Sequence, residues 1–430
     1  MSHIAIQYAF MQTKPQFTAA RLGIAPYAAL LCAIPLGCVA AAAQPAPRSR
    51  AIAMADTIMR RNPGTPKDSL AKWSYWKGYT LLGFEMLYRR TGDKRYFDFI
   101  KREMDPFIDE QGNLVNVRLN SLDNMMAGNM VVALYEYTKD ERYRTAATQI
   151  RRAFDNYPRN PDGGFWHSPS LAGQMWVDGV FMGEMFLIRY GKSIGDREYC
   201  FDEAARQIAV FAGHGLKGDS GLYYHAWAAQ PELAKVIGGH APAVGTLWAD
   251  PKTGLSSEVW SEGLGWYALT LCETLGIMPK EHPRRREVAD IYARLAAGLK
   301  RTQDPKTGGW FQVVDKGERS DNWIDSSGSA MFTYAIERGI EVGLLSRKEY
   351  GPVAARGYQA ITGLAKIDAD GMVDVYSACD GLCVQANYGA YIDYPRSVNA
   401  KEAVAGFLWA TAIVEKPDRK AAAKQGRARN

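Results

Sequence analysis

Two kinds of apolar pattern alternate along most of the chain. In one kind nearly every position is apolar, as in YTLLGFEMLY from Tyr79 and GVFMGEMFLI from Gly179. In the other, apolar residues recur every three or four positions among Arg, Lys and Ala, as in RREVADIYARLAAGLKRTQ from Arg285. Helices that are apolar all round are buried, and amphipathic helices lie outside them. The pattern therefore predicts six inner helices and five outer ones, with residues 52–61 as a sixth outer helix.

Similar short links join several inner helices to the outer helices that follow them. They read TGDKRYFDFI from Thr91, TKDERYRTAA from Thr138 and IGDREYCFDE from Ile194. We expect the Asp of each link to cap the second helix by accepting free backbone N–H groups, with the Tyr packed beneath it. Glycine turns followed by short apolar or aromatic strands divide the chain into comparable units, near Gly112, Gly164, Gly221, Gly309 and Gly371.

Repeated helix pairs of this kind predict an all-α fold, an (α/α)6 toroid with short β-hairpin loops. Helix pairs can also stack as an open solenoid. Six repeats, with an N-terminal helix available to complete the last pair, favour closure. Residues 230–257 form an extra loop in the longest gap between turns. In a toroid the inner helices run parallel, so their N-termini meet on one face, where free N–H groups and helix dipoles favour anions.

Carboxylates and aromatic rings recur in the segments that lead into the inner helices. These segments are residues 73–78, 122–124, 174–178, 258–262 and 325–329. Aromatic rings stack on sugar faces, and carboxyl groups bind hydroxyls or move protons, so the set suits a sugar site. Asp178, in QMWVDGVFMGE, has apolar neighbours and no cation within several residues. A second interpretation makes Asp123 and Asp178 helix N-caps, Trp260 and Trp266 core residues, and His225 a hairpin residue.

Composition and charge describe a globular chain with a predicted leader and tail. The 430 residues are 47% hydrophobic, 11% aromatic and 23% charged. Lys14 and Arg21 precede an apolar run, and three alanines precede Gln44, which predicts an export signal over residues 1–43 and a periplasmic or secreted protein. Without Lys14 and Arg21 the net charge falls from +6 to +4, too small to indicate nucleic acid. Residues 44–415 would form the barrel, and residues 416–430 a basic, disordered tail.

The same run is a poor membrane span, because Pro26 and Pro35 interrupt it. Four cysteines remain after position 43, and no Cys–His spacing suggests zinc, so neither a metal nor a cofactor is predicted. Cys379 and Cys383 flank a short turn. They are predicted to form a disulfide in an oxidising compartment, with two reduced thiols as the alternative.

Several motifs in order resemble the unsaturated rhamnogalacturonyl hydrolases of glycoside hydrolase family 105, which are related to the unsaturated glucuronyl hydrolases of family 88. The motifs are LDNMMAGN, GGFWH, QMWVDGVFMG, YYHAW, EVWSEGLGWY, GGWFQVVD and SSGSAMFTYAI. The resemblance covers residues 73–415 and implies an (α/α)6 barrel. It also implies the substrate, an oligosaccharide that a lyase has left with a terminal uronic acid carrying a C4=C5 double bond.

The resemblance also implies roles for individual residues. Asp178 would protonate C4 of the enol ether, after which water adds at C5 and the hemiketal collapses. Apolar neighbours are expected to raise the pKa of Asp178 so that it arrives protonated. Asp123 would hold sugar hydroxyls and orient the ring. Aromatic or imidazole positions matching substrate contacts in the family are Tyr75, His225, Trp260 and Trp266.

One position departs from the family pattern W-x-R-G-x-G-W: this chain has Glu262 where an arginine is usual. That arginine would meet the uronate carboxylate, so Lys77 is a candidate replacement cation. Two other functions stay open from the sequence, an inverting glycosidase that uses Asp123 and Asp178, and an exported sugar-binding protein without catalysis. The source polymer also stays open among rhamnogalacturonan, ulvan and glycosaminoglycan-like chains.

Overall fold

Six inner and six outer helices alternate along the described part of the chain. The computed structural model describes residues 49–238 and 244–419. The inner helices are α2 (Tyr75–Thr91), α4 (Asp123–Met126) with α5 (Gly128–Thr138), α7 (Val177–Ser193), α9 (Ser261–Ile277), α11 (Ser326–Glu341) and α14 (Lys401–Glu415). The outer helices are α1 (Arg50–Arg61), α3 (Lys94–Met104), α6 (Glu141–Arg152), α8 (Arg197–Gly215), α10 (Arg285–Thr302) and α12 (Arg347–Gly363). A short helix, α13 (Tyr388–Ile392), precedes α14.

The inner helices close into a ring. Each contacts the next inner helix along the chain, and α14 contacts α2. The outer helix α1 packs against α14, so the first helix of the described chain completes the last pair. The predicted (α/α)6 toroid is confirmed, and the open solenoid is wrong because a solenoid leaves its two ends apart.

The helix links behave as expected in two of three cases. Asp93 and Asp140 are the N-caps of α3 and α6, and each accepts a hydrogen bond from a backbone N–H of the first turn. Tyr96 and Tyr143 are buried beneath them. Asp196 occupies the same position before α8, but it has a left-handed backbone and makes no capping bond. Its carboxylate instead lies 3.2 Å from Arg151 Nε.

Among the described residues, four two-stranded antiparallel sheets lie in the loops. Their strands are β1 (Gln174–Trp176) with β2 (Ala226–Ala228), β3 (Trp310–Phe311) with β4 (Ile324–Asp325), β5 (Ala365–Ile367) with β6 (Val373–Val375), and β7 (Ala378–Cys379) with β8 (Arg396–Ser397). After the glycine turns near Gly112 and Gly164, the predicted strands shorten to isolated bridges, and after Gly221 a bridge at Tyr223 precedes β2. The described part of the extra loop packs Trp248 into one apolar cluster with Trp176.

Aromatic rings fill the middle of the toroid. The ring centroid of Tyr79 lies 4.5 Å from that of Trp266, 5.9 Å from that of Phe181 and 4.9 Å from that of Trp409. All four side chains are buried. This axial aromatic layer separates the N-terminal end of the inner helices from their C-terminal end.

The predicted disulfide is wrong in this structure. Cys379 and Cys383 are both free thiols. Cys379 lies in β7 beside Trp260 and Tyr391, whereas Cys383 packs on the cluster of Trp176 and Trp248, so the two side chains serve different parts of the core.

The predicted signal over residues 1–43 and most of the predicted tail lie outside the described residues. Among residues 49–238 and 244–419, the helices are too short or too polar to cross a bilayer. Export therefore stays a prediction from the sequence.

Candidate active site

Asp178 and Asp123 are partly exposed carboxylates at the N-terminal end of two adjacent inner helices. Asp178 lies in the first turn of α7, and Asp123 is the first residue of α4. The N-cap positions belong to Trp176 and Leu122, and neither makes a side-chain capping bond. The side chains of Asp178 and Asp123 are 15% and 33% exposed. Neither aspartate is a helix cap, so both carboxylates remain available at the mouth of the barrel.

Pairing of β1 with β2 places His225 beside Asp178. The register sets Trp176 opposite Ala226, and Val177 N–H donates to the carbonyl of His225 at 2.9 Å. His225 Nε2 then lies 3.6 Å from Asp178 Oδ1. On the other side of the ring, Nδ1 is 2.8 Å from the hydroxyl of Tyr391. The tertiary fold thus supplies the partner that the sequence around Asp178 lacks.

His167 completes the group, although the sequence analysis did not assign it a role. Its Nε2 lies 3.7 Å from Asp123 Oδ1, and its ring stacks on Trp176 with centroids 4.5 Å apart. The backbone fixes it, because Leu122 N–H donates to the His167 carbonyl. The available signal was its place in GGFWH, one hairpin before α7, as His225 stands one hairpin before α9.

The pKa values of the two aspartates shift in opposite directions. Burial alone would raise the pKa of Asp178, but the imidazoles of His225 and His167 outweigh it and hold that pKa below its ordinary value. Burial raises the pKa of Asp123, with His167 opposing and the charge of Asp178 adding to the rise. Burial lowers the pKa of His225. The expectation of a raised pKa for Asp178 was wrong, because its apolar sequence neighbours are outweighed by two imidazoles from other segments.

Asp123, His167 and Asp178 form a tight cluster. One oxygen of each carboxylate and one ring nitrogen lie within 4.8 Å of one another. Two carboxylates and an imidazole could hold a divalent cation, and the same set can pass a proton. The nearest oxygens of the two carboxylates lie within 4.8 Å, whereas the carboxyl groups of an inverting glycosidase stand about 6.5–9.5 Å apart with a water between them. The geometry therefore disfavours that alternative.

Glu262 belongs to a second group of acids, across the barrel mouth from Asp123. Its side chain is 1% exposed, and its Oε2 lies 2.9 Å from Ser327 Oγ. Glu402, at the start of α14, accepts a hydrogen bond from the Tyr75 hydroxyl at 2.5 Å. Burial raises the pKa of Glu262 well above its ordinary value, and the charges of Glu402 and Asp325 raise it further. The sequence pattern had placed Ser327 in the entry segment 325–329 without giving it a role, and it had not singled out Glu402.

Three residues predicted to contact substrate support the site from beneath. His225 is fully buried, and Trp260 and Trp266 are 2% exposed. The Trp260 ring packs on His225 with centroids 4.5 Å apart, and Trp266 belongs to the axial aromatic layer. Tyr75 is partly exposed and lies edge-on to Trp266. Direct contact of these four residues with a sugar stays a prediction.

Lys77 does not join the site, and its prediction as a replacement cation is wrong. Its ammonium donates to the backbone carbonyl of Glu103 at 2.5 Å and lies 3.5 Å from the Glu103 carboxylate. It also lies over the ring of Phe107, and the side chain is 1% exposed. The backbone of Lys77 lies at the N-terminal end of α2, near the site. Its long side chain turns toward α3, where its ammonium contacts Glu103.

Comparison with known proteins gives a consistent picture. The chain is 26% identical to the unsaturated rhamnogalacturonyl hydrolase YesR of Bacillus subtilis, over 75% of this chain and 84% of that protein. A C. acetobutylicum glycoside hydrolase from family 105 superposes with a TM-score of 0.78 at 29% identity, covering 86% of this chain and all of the other.

The unsaturated glucuronyl hydrolase of Bacillus sp. GL1 shares the fold, with a TM-score of 0.60 at 17% identity over 85% of this chain and 95% of the other. The sequence profile of Glycosyl Hydrolase Family 88 matches residues 51–417, nearly all of the barrel. The toroid, the paired aspartates and this match agree: the chain belongs to Glycosyl Hydrolase Family 88 and is a glycoside hydrolase.

Proposed function

We propose that this hydrolase removes a terminal 4,5-unsaturated uronic acid from oligosaccharides that a lyase has released. The observation that carries the proposal is the cluster of Asp123, His167 and Asp178 within 4.8 Å at the N-terminal end of the inner helices. The relative YesR, named as an unsaturated rhamnogalacturonyl hydrolase, supports this substrate class. Export to the periplasm or medium, which the sequence of residues 1–43 predicts, remains part of the proposal.

The reaction is hydration of a vinyl ether. The carboxyl of Asp178 gives its proton to C4, which leaves positive charge shared between C5 and the ring oxygen. A water then adds to C5 and passes its proton to the Asp178 carboxylate. The resulting hemiketal opens to a ketone at C5, and the free hemiacetal at C1 releases the remaining sugar as an alcohol. General acid and base are thus one group at successive steps.

The pKa shifts of the two aspartates bear on how a proton reaches Asp178. Asp178 has the lowered pKa and Asp123 the raised one. In this mechanism Asp178 must gain a proton before it can protonate C4, and Asp123, the neighbouring carboxyl whose pKa is raised, is the group placed to pass one to it. Neighbouring titratable groups with displaced pKa values identify acid and base partners in this way.

Reaction in deuterium oxide tests the chemistry directly. Vinyl-ether hydration places solvent deuterium at C4 of the released keto acid and abolishes the enol-ether absorbance. Because C4 lies beside the new ketone, the product must also be incubated alone in deuterium oxide to measure exchange. Ordinary glycosidic hydrolysis would leave the double bond intact and put solvent oxygen at C1, which would overturn the proposal. Lyase products of rhamnogalacturonan, ulvan and glycosaminoglycans, assayed side by side, would identify the polymer.

A further inference from the structure

The short contacts that join Glu262, Ser327 and Asp325 require one more proton than two ionised carboxylates and a hydroxyl provide. Ser327 Oγ lies 2.9 Å from Glu262 Oε2 and 2.9 Å from each oxygen of Asp325. A hydroxyl has one proton to donate. With both carboxyl groups ionised, Ser327 could donate a hydrogen bond to only one of them. The other carboxylate would then face the lone pairs of Ser327 Oγ. The geometry is favourable for both only if one carboxyl is protonated.

Asp325 is the group built to carry the negative charge. It is the N-cap of α11 and accepts hydrogen bonds from the N–H groups of Ser327 and Gly328, at 3.2 and 2.8 Å. Glu262 has no comparable backbone donors among its recorded hydrogen bonds in the described chain. The proton of this pair therefore belongs to Glu262, whose Oε2 can donate to Ser327 Oγ while Ser327 donates to Asp325.

Little positive charge faces these acids in the described part of the chain. In residues 49–238 and 244–419, the only recorded ion pair of Glu262, Asp325 or Glu402 joins Glu402 to Lys401, at 4.0 Å. The Lys401 side chain is 35% exposed. Glu402 Oε2 is fully buried and has no hydrogen-bond partner. The titratable groups that face Glu262 come from five elements and the loop before α14: Tyr75, Tyr79, Asp178, Asp325, Cys379, Tyr394 and Glu402.

We propose that Glu262 is a proton-dependent specificity residue: its neutral carboxyl, bridged through Ser327 to Asp325, lets the barrel mouth accept an anionic uronide without a cationic partner. Loss of the proton places a buried negative charge beside the substrate and weakens binding. This inference rests on the proposed function, since it takes the substrate to carry a carboxylate. It also accounts for the glutamate where the family pattern has an arginine. An arginine would attract the uronate carboxylate, and a neutral glutamic acid does not repel it.

The kinetic test compares the KM for an unsaturated uronide across pH in the wild type, Glu262→Gln and Glu402→Gln. In the wild type, KM should rise by about tenfold per pH unit once Glu262 ionises, as expected for a single linked proton. Glu262→Gln carries a permanently neutral amide, so this rise should vanish. Glu402→Gln removes a neighbouring charge that favours the neutral form of Glu262, so the rise should begin at lower pH.

The matched control is Glu184→Gln. Glu184 is fully buried in α7, and burial raises its pKa well above the ordinary value, with the charge of Glu203 adding to the rise. It is not among the titratable groups that face Glu262. Its KM profile should follow that of the wild type. An alkaline rise that persists in Glu262→Gln would overturn the proposal, as would a wild-type KM that does not change with pH.

A readout without substrate separates this inference from the proposed reaction. Infrared difference spectroscopy of the free, folded protein should show a protonated carboxyl band that disappears in Glu262→Gln. In Glu184→Gln this band should remain, and only the band of Glu184 itself should be lost. Absence of a band specific to Glu262 would reject the neutral carboxyl even if vinyl-ether hydration is observed. A band that is present, with no deuterium at C4, would reject the reaction and leave the neutral Glu262 standing.

Discussion

Buried glutamates lie at both ends of the barrel, but their pKa values shift in opposite directions. At the N-terminal end, Glu262 and Glu402 are buried against hydroxyl groups, and burial raises the pKa of both. At the C-terminal end, Glu85 is 2% exposed and lies 2.6 Å from Arg89 and 2.7 Å from Arg189. Burial alone would raise the pKa of Glu85, but the two guanidinium groups outweigh it and lower that pKa.

Arginine pairing continues around the C-terminal end. Arg338 lies 3.0 Å from Glu273 and 2.9 Å from Glu341, and Arg90 lies 3.3 Å from Glu341. These groups line a cavity of about 330 Å³ below the axial aromatic layer. Cations suit the negative ends of helix dipoles, so they accumulate at this end. The buried carboxylates at this end are thus paired with arginine, whereas at the other end Glu262 and Asp325 have no recorded ion pair in the described chain.

The largest expected effect comes from Asp178→Asn at the N-terminal end. The amide keeps the shape of the side chain but cannot supply a proton, so kcat should fall by about 10²–10⁴-fold while substrate still binds. Single-turnover decay of the enol-ether absorbance measures this loss. Asp123→Asn should also be slow, and it should change the pH dependence of kcat because it removes the group with the raised pKa. A fully active Asp178→Asn would end the assignment.

A matched substitution at the other end should cost stability instead of activity. Glu85→Gln removes the nearest carboxylate partner of the buried Arg189 and leaves Glu136, 3.6 Å away; breaking a buried ion pair costs about 3–5 kcal/mol. The free energy of unfolding from urea titration measures this, and kcat of the folded variant should match the wild type. Glu262→Gln exchanges one neutral group for another and should cost less than about 1.5 kcal/mol. Equal losses in the two variants would contradict the comparison.

The same two variants should change the pH dependence of stability on opposite sides. Glu85 has a lowered folded pKa, so its contribution is complete above the unfolded value of about 4.3 and is lost as the pH falls through the folded pKa. Glu262 has a raised folded pKa, so its contribution is complete below about 4.3 and is lost as the pH rises through the folded pKa.

Tm measured across pH checks both signs. Glu85→Gln should flatten the acid side of the stability curve, and Glu262→Gln should flatten the alkaline side. Each ionising group contributes a slope of at most about 1.4 kcal/mol per pH unit. A curve flattened on the same side by both substitutions would show that one of the two directions is wrong.

The smallest effect is expected for Lys77→Met, a cation at the N-terminal end that is used structurally. Glu103 loses a buried charged donor, which costs about 1–3 kcal/mol, and relief of the buried ammonium offsets part of this. Burial lowers the pKa of Lys77 to about 8, so that relief is largest below pH 8. The KM for an unsaturated uronide should stay at the wild-type value. A strong rise in KM would return Lys77 to the site.

The sequence by itself determined the helix pairs, the closed ring and the two aspartates at the barrel mouth. Periodicity of apolar residues is a local property, and it was sufficient to separate inner from outer helices. The resemblance of ordered motifs then selected Asp178, Asp123 and His225, which the structure brings to one end of the barrel. Local capping rules also held at Asp93 and Asp140.

Only the tertiary structure decided which groups face each acid. Asp178 has apolar neighbours in sequence, yet His225 stands 3.6 Å away because β1 pairs with β2. The backbone of Lys77 lies beside the site, but its ammonium pairs with Glu103. Glu262 meets Ser327 from another inner helix, 65 positions further along the chain. Acid strength depends on charges and hydrogen-bond donors within a few ångströms, and those distances are set by helix packing rather than by the order of residues.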